Sequence, residues 1–135
     1  MNGEKPLVMI INDDATEAER CAGWLNEAGF GTIIAHSEPH ALELAENAEP
    51  DVMLIDVIMA VEGEKASLAG RISADPRTQH IPVVLTRGIM RPTDYPVEEE
   101  VRRRGLQPRD VVSLTAAPES LVRGVGQALE SGKRA

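Results

Sequence analysis

Short apolar runs alternate with amphipathic segments along the whole chain of 135 residues. The apolar runs are typical of strands buried on both faces of a sheet, and they lie at 7–11, 32–35, 52–55, 81–86 and 111–114. The other segments place apolar residues three or four positions apart, as on one face of a helix, at 16–28, 38–46, 66–74, 97–104 and 121–129. Five strand–helix pairs in succession predict an α/β fold: a doubly wound, five-stranded parallel sheet with helices on both faces.

The composition excludes several classes of protein. Because the formal net charge is −8, the chain lacks the basic face that nucleic-acid binding needs. No apolar run approaches the roughly 20 residues of a membrane-spanning helix, and the N-terminus lacks the hydrophobic stretch of a signal peptide. The single cysteine, Cys21, cannot form an intrachain disulfide. We therefore expect one cytoplasmic domain over 1–135 that binds neither nucleic acid nor membranes.

Acidic side chains follow two of the predicted strands. Asp13 and Asp14 come after the first strand, and Asp56 comes directly after the third. In a doubly wound sheet, ligands bind beyond the carboxyl ends of the strands. If the two strands are neighbours, Asp13 and Asp56 converge there, and their repulsion favours binding of a cation, for which oxygen ligands indicate Mg²⁺. An aspartate beside Mg²⁺ can then act as a nucleophile and form an aspartyl phosphate.

A purely structural interpretation of these acids stays open. Asp14 is well placed to cap the first helix, with Glu17 three residues later completing a pattern like a capping box. Because Asp56 belongs to a cluster of acids that repel one another, we expect Asp56→Ala to stabilise the protein in metal-free buffer by about 1 kcal/mol.

The residues around these acids resemble those of the receiver-domain family of two-component signalling. The resembling segments cover nearly the whole chain and include 7–14, 26–30, 50–59 and 74–82. The segment around Asp56 is the most specific of them. The resemblance implies the flavodoxin-like receiver fold.

The resemblance also implies a function and a set of site residues. Asp56 would be the phosphoacceptor, and Mg²⁺ would be held by the carboxylates of Asp13 and Asp56 and the backbone carbonyl of Ile58, with Asp14 close by. The donor would be a phosphohistidine of a histidine kinase or phosphotransfer protein. The output would be an altered surface of the fourth and fifth helices, to which a downstream protein effector binds. Whether the protein forms a homodimer is left open by the resemblance. We do not expect an enzyme, because phosphatases of the haloacid-dehalogenase type need a second acid where this chain has Ile58.

Several positions depart from the family pattern. Asn12 occupies one place of the acidic pair, which should weaken cation binding, and Leu114 stands where the family has a lysine that pairs with the phosphoryl group. Thr86, the candidate switch hydroxyl, comes one residue early, where Arg87 would be the match, and Val111 replaces an aromatic switch residue. Two functions therefore remain: a stand-alone receiver that is phosphorylated, and a pseudo-receiver that binds partners without phosphorylation.

Overall fold

The structure is a computed structural model that describes residues 5–61, 68–88, 97–114 and 117–134. Within these ranges the chain forms five strands and six helices. The strands are β1 Leu7–Ile11, β2 Gly31–Ala35, β3 Val52–Asp56, β4 Val83–Arg87 and β5 Asp110–Ser113. The helices are α1 Ala15–Glu27, α2 Glu38–Ala48, α3 Val57–Val61, α4 Leu68–Ala74, α5 Val97–Arg103 and α6 Pro118–Arg134.

All five strands belong to one sheet with the order β2-β1-β3-β4-β5, and every neighbouring pair is parallel. The predicted doubly wound sheet is confirmed. The strand order reverses between β1 and β3, and in open α/β sheets this switch point is where ligands bind. The residues at the carboxyl ends of these two strands, Asn12 and Asp56, therefore occupy the edge at which a site is expected.

Helices cover both faces of the sheet. Buried residues of α1 and α6, such as Cys21 and Leu121, pack with Ile10 and Leu54 on one side, which we call the α1/α6 face. The half-buried Trp24, the only tryptophan of the chain, packs against the same cluster. Residues of α2, α3, α4 and α5 pack with Met9, Met53 and Leu85 on the other side, the α2–α5 face. Among the described helices, none is long and apolar enough to span a membrane.

Helices α1 and α5 are bounded by capping residues, of which the sequence predicted Asp14. The Asp14 side chain caps α1, and Gly29 takes a φ of 99° just beyond the end of that helix. Gly105, with a φ of 100°, plays the same part after α5. The sequence did not predict α3, which begins directly after Asp56. Of the helix predicted for 66–74, the structure describes Leu68–Ala74, and the first two residues lie outside the described ranges.

Candidate functional site

Three buried polar side chains lie in a row across neighbouring strands. Asn12, Asp56 and Thr86 are only 2%, 1% and 2% exposed, at the ends of β1, β3 and β4. Asp56 and Thr86 are register partners, and Asn12 follows the partner pair of Ile11 and Ile55. The residues two positions earlier on each strand pack on the α1/α6 face, so alternation directs the row to that same face. The described part of the chain contains one other buried polar residue, Thr78, so this grouping is not a scatter of buried polar residues.

The Asp56 carboxylate caps helix α3. Its Oδ2 accepts hydrogen bonds from the backbone N–H groups of Ile58 and Met59, both at 3.2 Å. These are the donors that an N-cap side chain satisfies at the start of a helix. The two N–H groups fix the carboxylate at the edge of the sheet.

The placement of Ile58 in this helix bears on its predicted role. Its N–H points back to Asp56, whereas the carbonyl of a helical residue points toward the helix C-terminus. For the Ile58 carbonyl to reach a cation beside Asp56, the first turn of α3 would have to open.

Asn12 organises the loop between β1 and α1. Its Oδ1 accepts a hydrogen bond from the backbone N–H of Asp14 at 2.9 Å, and its Nδ2 donates to Oε1 of Glu17 at 3.3 Å. A carboxylate at this position could accept the first bond but not donate the second. The amide therefore binds a negative charge at a place where an acid would repel one.

The capping pattern predicted for α1 forms only in part. Oδ1 of Asp14 accepts from the backbone N–H of Glu17 at 3.1 Å, so Asp14 is the expected N-cap. The N–H of Asp14, which the Glu17 carboxylate would bind in a capping box, donates to Asn12 instead. The Glu17 side chain is turned toward the ends of the strands.

Glu17 reaches the end of β4, a contact that the sequence did not reveal. A Cβ atom added to Gly88 would lie 2.9 Å from each oxygen of the Glu17 carboxylate. Because Gly88 follows β4 and Asn12 follows β1, Glu17 contacts residues beyond both neighbours of β3, the strand that bears Asp56. Gly88 is buried although it lies beyond its strand. From sequence alone, Glu17 completes the capping pattern of α1, and nothing in that pattern indicates a contact with Gly88.

The oxygen atoms near this strand edge are suitable ligands for a hard cation. Asp13 and Asp56 supply carboxylate oxygens and Asn12 supplies an amide oxygen, the ligand types that Mg²⁺ prefers. Asp13 and Asp14 are exposed, whereas Asp56 is buried. Within the described ranges, no three His, Cys, Asp or Glu side chains are gathered closely enough to hold a metal ion. The carboxylates would have to move together to share one cation.

The end of β5 is apolar. Leu114 is 5% exposed and packs on the α1/α6 face, and its backbone N–H donates to the carbonyl of Arg87 at 2.9 Å. The position of the family's lysine is thus part of the core. Val111 packs half-buried on the α2–α5 face. Thr115 and the proline-containing segment 89–96 lie outside the described residues.

Cys21 lies on α1, four residues beyond Glu17. The thiol is 1% exposed, and its pKa is raised from the ordinary 9.0 to about 11, mainly by burial and further by the charge of Glu17, against a smaller lowering by Arg20. A thiol with such a pKa stays protonated at neutral pH and is a poor nucleophile or metal ligand.

Comparison with known proteins agrees with this architecture. The chain is 25% identical to protein PilH of Pseudomonas aeruginosa over 123 residues, covering 90% of the chain and 96% of PilH. It is 27% identical to the polar-differentiation response regulator DivK of Brucella ovis over 100 residues, covering 74% of the chain and 78% of DivK. The receiver domain of a signal transduction histidine kinase from Syntrophus aciditrophicus superposes with a TM-score of 0.76 at 23% identity, covering 96% of this chain and 94% of that one.

No profile of a known protein family matches the sequence. The sequence relatives and the fold nevertheless agree with each other and with the resemblance around Asp56. The chain is similar in sequence to response regulators and in fold to receiver domains, and both similarities support the response-regulator receiver family.

Proposed function

We propose that residues 1–135 act as one receiver module that accepts a phosphoryl group on Asp56 and signals by binding other proteins. The observation that supports this most directly is the register of β3 and β4, which sets the buried carboxylate of Asp56 beside the buried hydroxyl of Thr86. A buried carboxylate is costly unless the protein uses or pairs it, and this one lies at the switch point of the sheet.

The transfer would be a displacement at phosphorus. A carboxylate oxygen of Asp56 attacks the phosphorus atom of a phosphohistidine, and the P–N bond breaks as the O–P bond forms. The imidazole nitrogen of the donor keeps the electron pair and takes a proton from solvent. The donor that this chemistry requires is a histidine kinase or a histidine phosphotransfer protein. Since such kinases draw on cytoplasmic ATP, the proposal places the protein in the cytoplasm.

The neighbouring residues would assist in distinct ways. Asp13 and Asp56 would hold Mg²⁺, with Asp14 close by and with Ile58 contributing its carbonyl only if α3 opens. Mg²⁺, when bound, neutralises the charge that develops on the phosphoryl oxygens. The hydroxyl of Thr86 lies on the strand next to the acceptor and can donate a hydrogen bond to a phosphoryl oxygen. In this function the protein is a signalling module and not an enzyme: the phosphoryl group on Asp56 alters how the domain binds other proteins.

The test is phosphorylation by phosphoramidate in the presence of Mg²⁺, followed by intact mass and peptide mapping. We expect one phosphoryl group per chain, located on Asp56 and absent from Asp56→Asn. Thr86→Ala should still be phosphorylated, because its hydroxyl is not the nucleophile. A phosphorylated Asp56→Asn variant, or no phosphorylation of any variant, would contradict the proposal.

A second function is favoured by a specific observation, the apolar end of β5. With Leu114 packed in the core, the described part of that strand end offers no cation to bind a phosphoryl group. Asn12 removes one carboxylate from the expected cation site as well. A module that keeps the fold and binds partners without phosphorylation is the alternative, and the same experiment distinguishes the two.

A further inference from the structure

Glu17 occupies an unusual position for a side chain at the start of a helix. Its carboxylate is hydrogen-bonded to the Asn12 amide at one end of the row of buried polar side chains and lies against Gly88 at the other. Asp56 ends the strand between these two points. Any group that approaches Asp56 from the carboxyl edge of the sheet on the α1/α6 face therefore meets the Glu17 side chain.

This position has two physical consequences. The Glu17 carboxylate lies beside residues that follow β1 and β4, the two neighbours of the strand that ends in the buried Asp56, so it stands in the way of access to that strand end. It also places a negative charge next to the strand end that bears the acceptor, where an incoming phosphoryl group is itself anionic. Both effects oppose phosphorylation, one by blocking access and the other by like-charge repulsion.

We infer that Glu17 controls access to Asp56: its carboxylate, held by Asn12 and Gly88, must leave the end of β3 before a phosphoryl donor can react there. The inference rests on the proposed function of Asp56. Glu17 does not touch the reacting atoms. It acts by setting the rate at which Asp56 becomes available.

Two residues far apart in sequence make this arrangement feasible. The Asn12 amide donates a hydrogen bond to the Glu17 carboxylate, whereas an aspartate there would repel it. Gly88 leaves room for the carboxylate, because any side chain would bring a Cβ atom to 2.9 Å from both of its oxygens. Asn12 replaces an acid of the family's acidic pair, and this replacement allows the amide to hold the Glu17 carboxylate in place.

The first arm of the test compares rates of phosphorylation by phosphoramidate, in which the P–N bond breaks, the Asp56 O–P bond forms and the protonated nitrogen leaves as ammonia. Glu17→Gln keeps the size of the side chain but removes its charge, and we expect it to react about tenfold faster than the wild type at low ionic strength. The difference should shrink as NaCl is added, since salt screens the repulsion. Glu19→Gln, an exposed position on the same helix, is the matched control and should react like the wild type.

The second arm displaces the carboxylate without removing it. Gly88→Ala should push the flexible Glu17 side chain away and also raise the rate, whereas combining Gly88→Ala with Glu17→Gln should add little to either change alone. Gly23→Ala, at an open position of α1, controls for the effect of an added methyl group.

The contact itself is measured without any phosphoryl donor. In the amide NMR spectrum, Glu17→Ala should shift the side-chain NH₂ signals of Asn12 and the backbone signal of Gly88, and Glu19→Gln should shift neither. Absence of those shifts overturns the inference, as does equal phosphorylation of the wild type and Glu17→Gln, which would leave the proposed function intact. If neither the wild type nor Glu17→Gln gains a phosphoryl group on Asp56, the proposed function itself is overturned.

Discussion

The Asp56 carboxylate caps helix α3 while lying almost completely out of contact with solvent. Repulsion among the acids at this edge would make its removal stabilising, and that was the expectation from sequence. The structure predicts destabilisation instead. The backbone N–H groups of Ile58 and Met59 donate hydrogen bonds to Asp56, and both lose their acceptor when the side chain is removed. A buried N–H without a partner destabilises the folded state by about 1–3 kcal/mol.

The two simplest substitutions of Asp56 should therefore differ in stability. Asp56→Asn keeps an oxygen that accepts from Ile58 and Met59, whereas Asp56→Ala keeps none. We expect the free energy of unfolding of Asp56→Ala to be about 1 kcal/mol below that of Asp56→Asn, as for the loss of an N-cap. Urea denaturation in metal-free buffer measures both. Equal stability of the two variants would show that the cap contributes nothing.

Among individual residues, the sequence indicated site candidates that follow buried strands, but it did not indicate contacts between a helix side chain and a distant strand end. Asp56 and Thr86 were identifiable because parallel strands end at a common edge, and their register now makes them neighbours. The roles predicted for Asp13, Asp14 and Ile58 remain predictions. The contact of Glu17 with Gly88 depends on how α1 lies across the sheet, which no local pattern contains.

At the scale of secondary-structure elements, the missed helix and the apolar strand end both adjoin the site. Helix α3 has five residues, too few for a 3.6-residue period to be recognised, and its capping residue was accounted for as the end of a strand. The sequence places Leu114 at the end of β5, where the family has a lysine. The structure adds that this leucine is a core residue and not an exposed one.

Restoring the charge at the end of β5 should restore coupling between the site and the surface. In the family the lysine binds the phosphoryl group, and a ligand shifts an equilibrium only through contacts that differ between the two states. We expect beryllofluoride, a phosphoryl mimic, to produce larger chemical-shift changes along α5 and β5 in Leu114→Lys than in the wild type. Leu114→Met, which is apolar and of similar size, is the control. Large cooperative changes in the wild type would show that the switch operates without this lysine.

At the scale of the whole molecule, the fold was predictable because its determinants repeat along the chain. Five apolar runs separated by amphipathic segments allow few arrangements other than a parallel sheet covered on both faces. The sequence predicted the parallel sheet but not the order of its strands, which the structure gives as β2-β1-β3-β4-β5. Strand limits moved by one or two residues, as in β4, because the geometry of pairing decides where a strand begins.

The burial of Cys21 links the stability of the whole domain to alkaline pH. The folded pKa of the thiol, about 11, lies above its ordinary 9.0, so the unfolded chain loses this proton first as the pH rises. The free energy of unfolding should therefore fall between about pH 9 and pH 11, by about 2 kcal/mol from this group. Denaturation of the wild type and Cys21→Ala at about pH 8 and pH 11 isolates the contribution, because other titrating groups affect both proteins. A wild-type loss no larger than that of Cys21→Ala would contradict it.

The shortage of aromatic residues has a consequence for how the molecule can be observed. Trp24 is the only tryptophan, and it packs half-buried on α1, the helix whose first turn holds Glu17. Intrinsic fluorescence excited at the indole band therefore comes from one place in the fold, on the face toward which Asp56 and Thr86 are directed. The protein contains its own optical probe of the α1/α6 face, so events at that face can be followed in the unlabelled native chain.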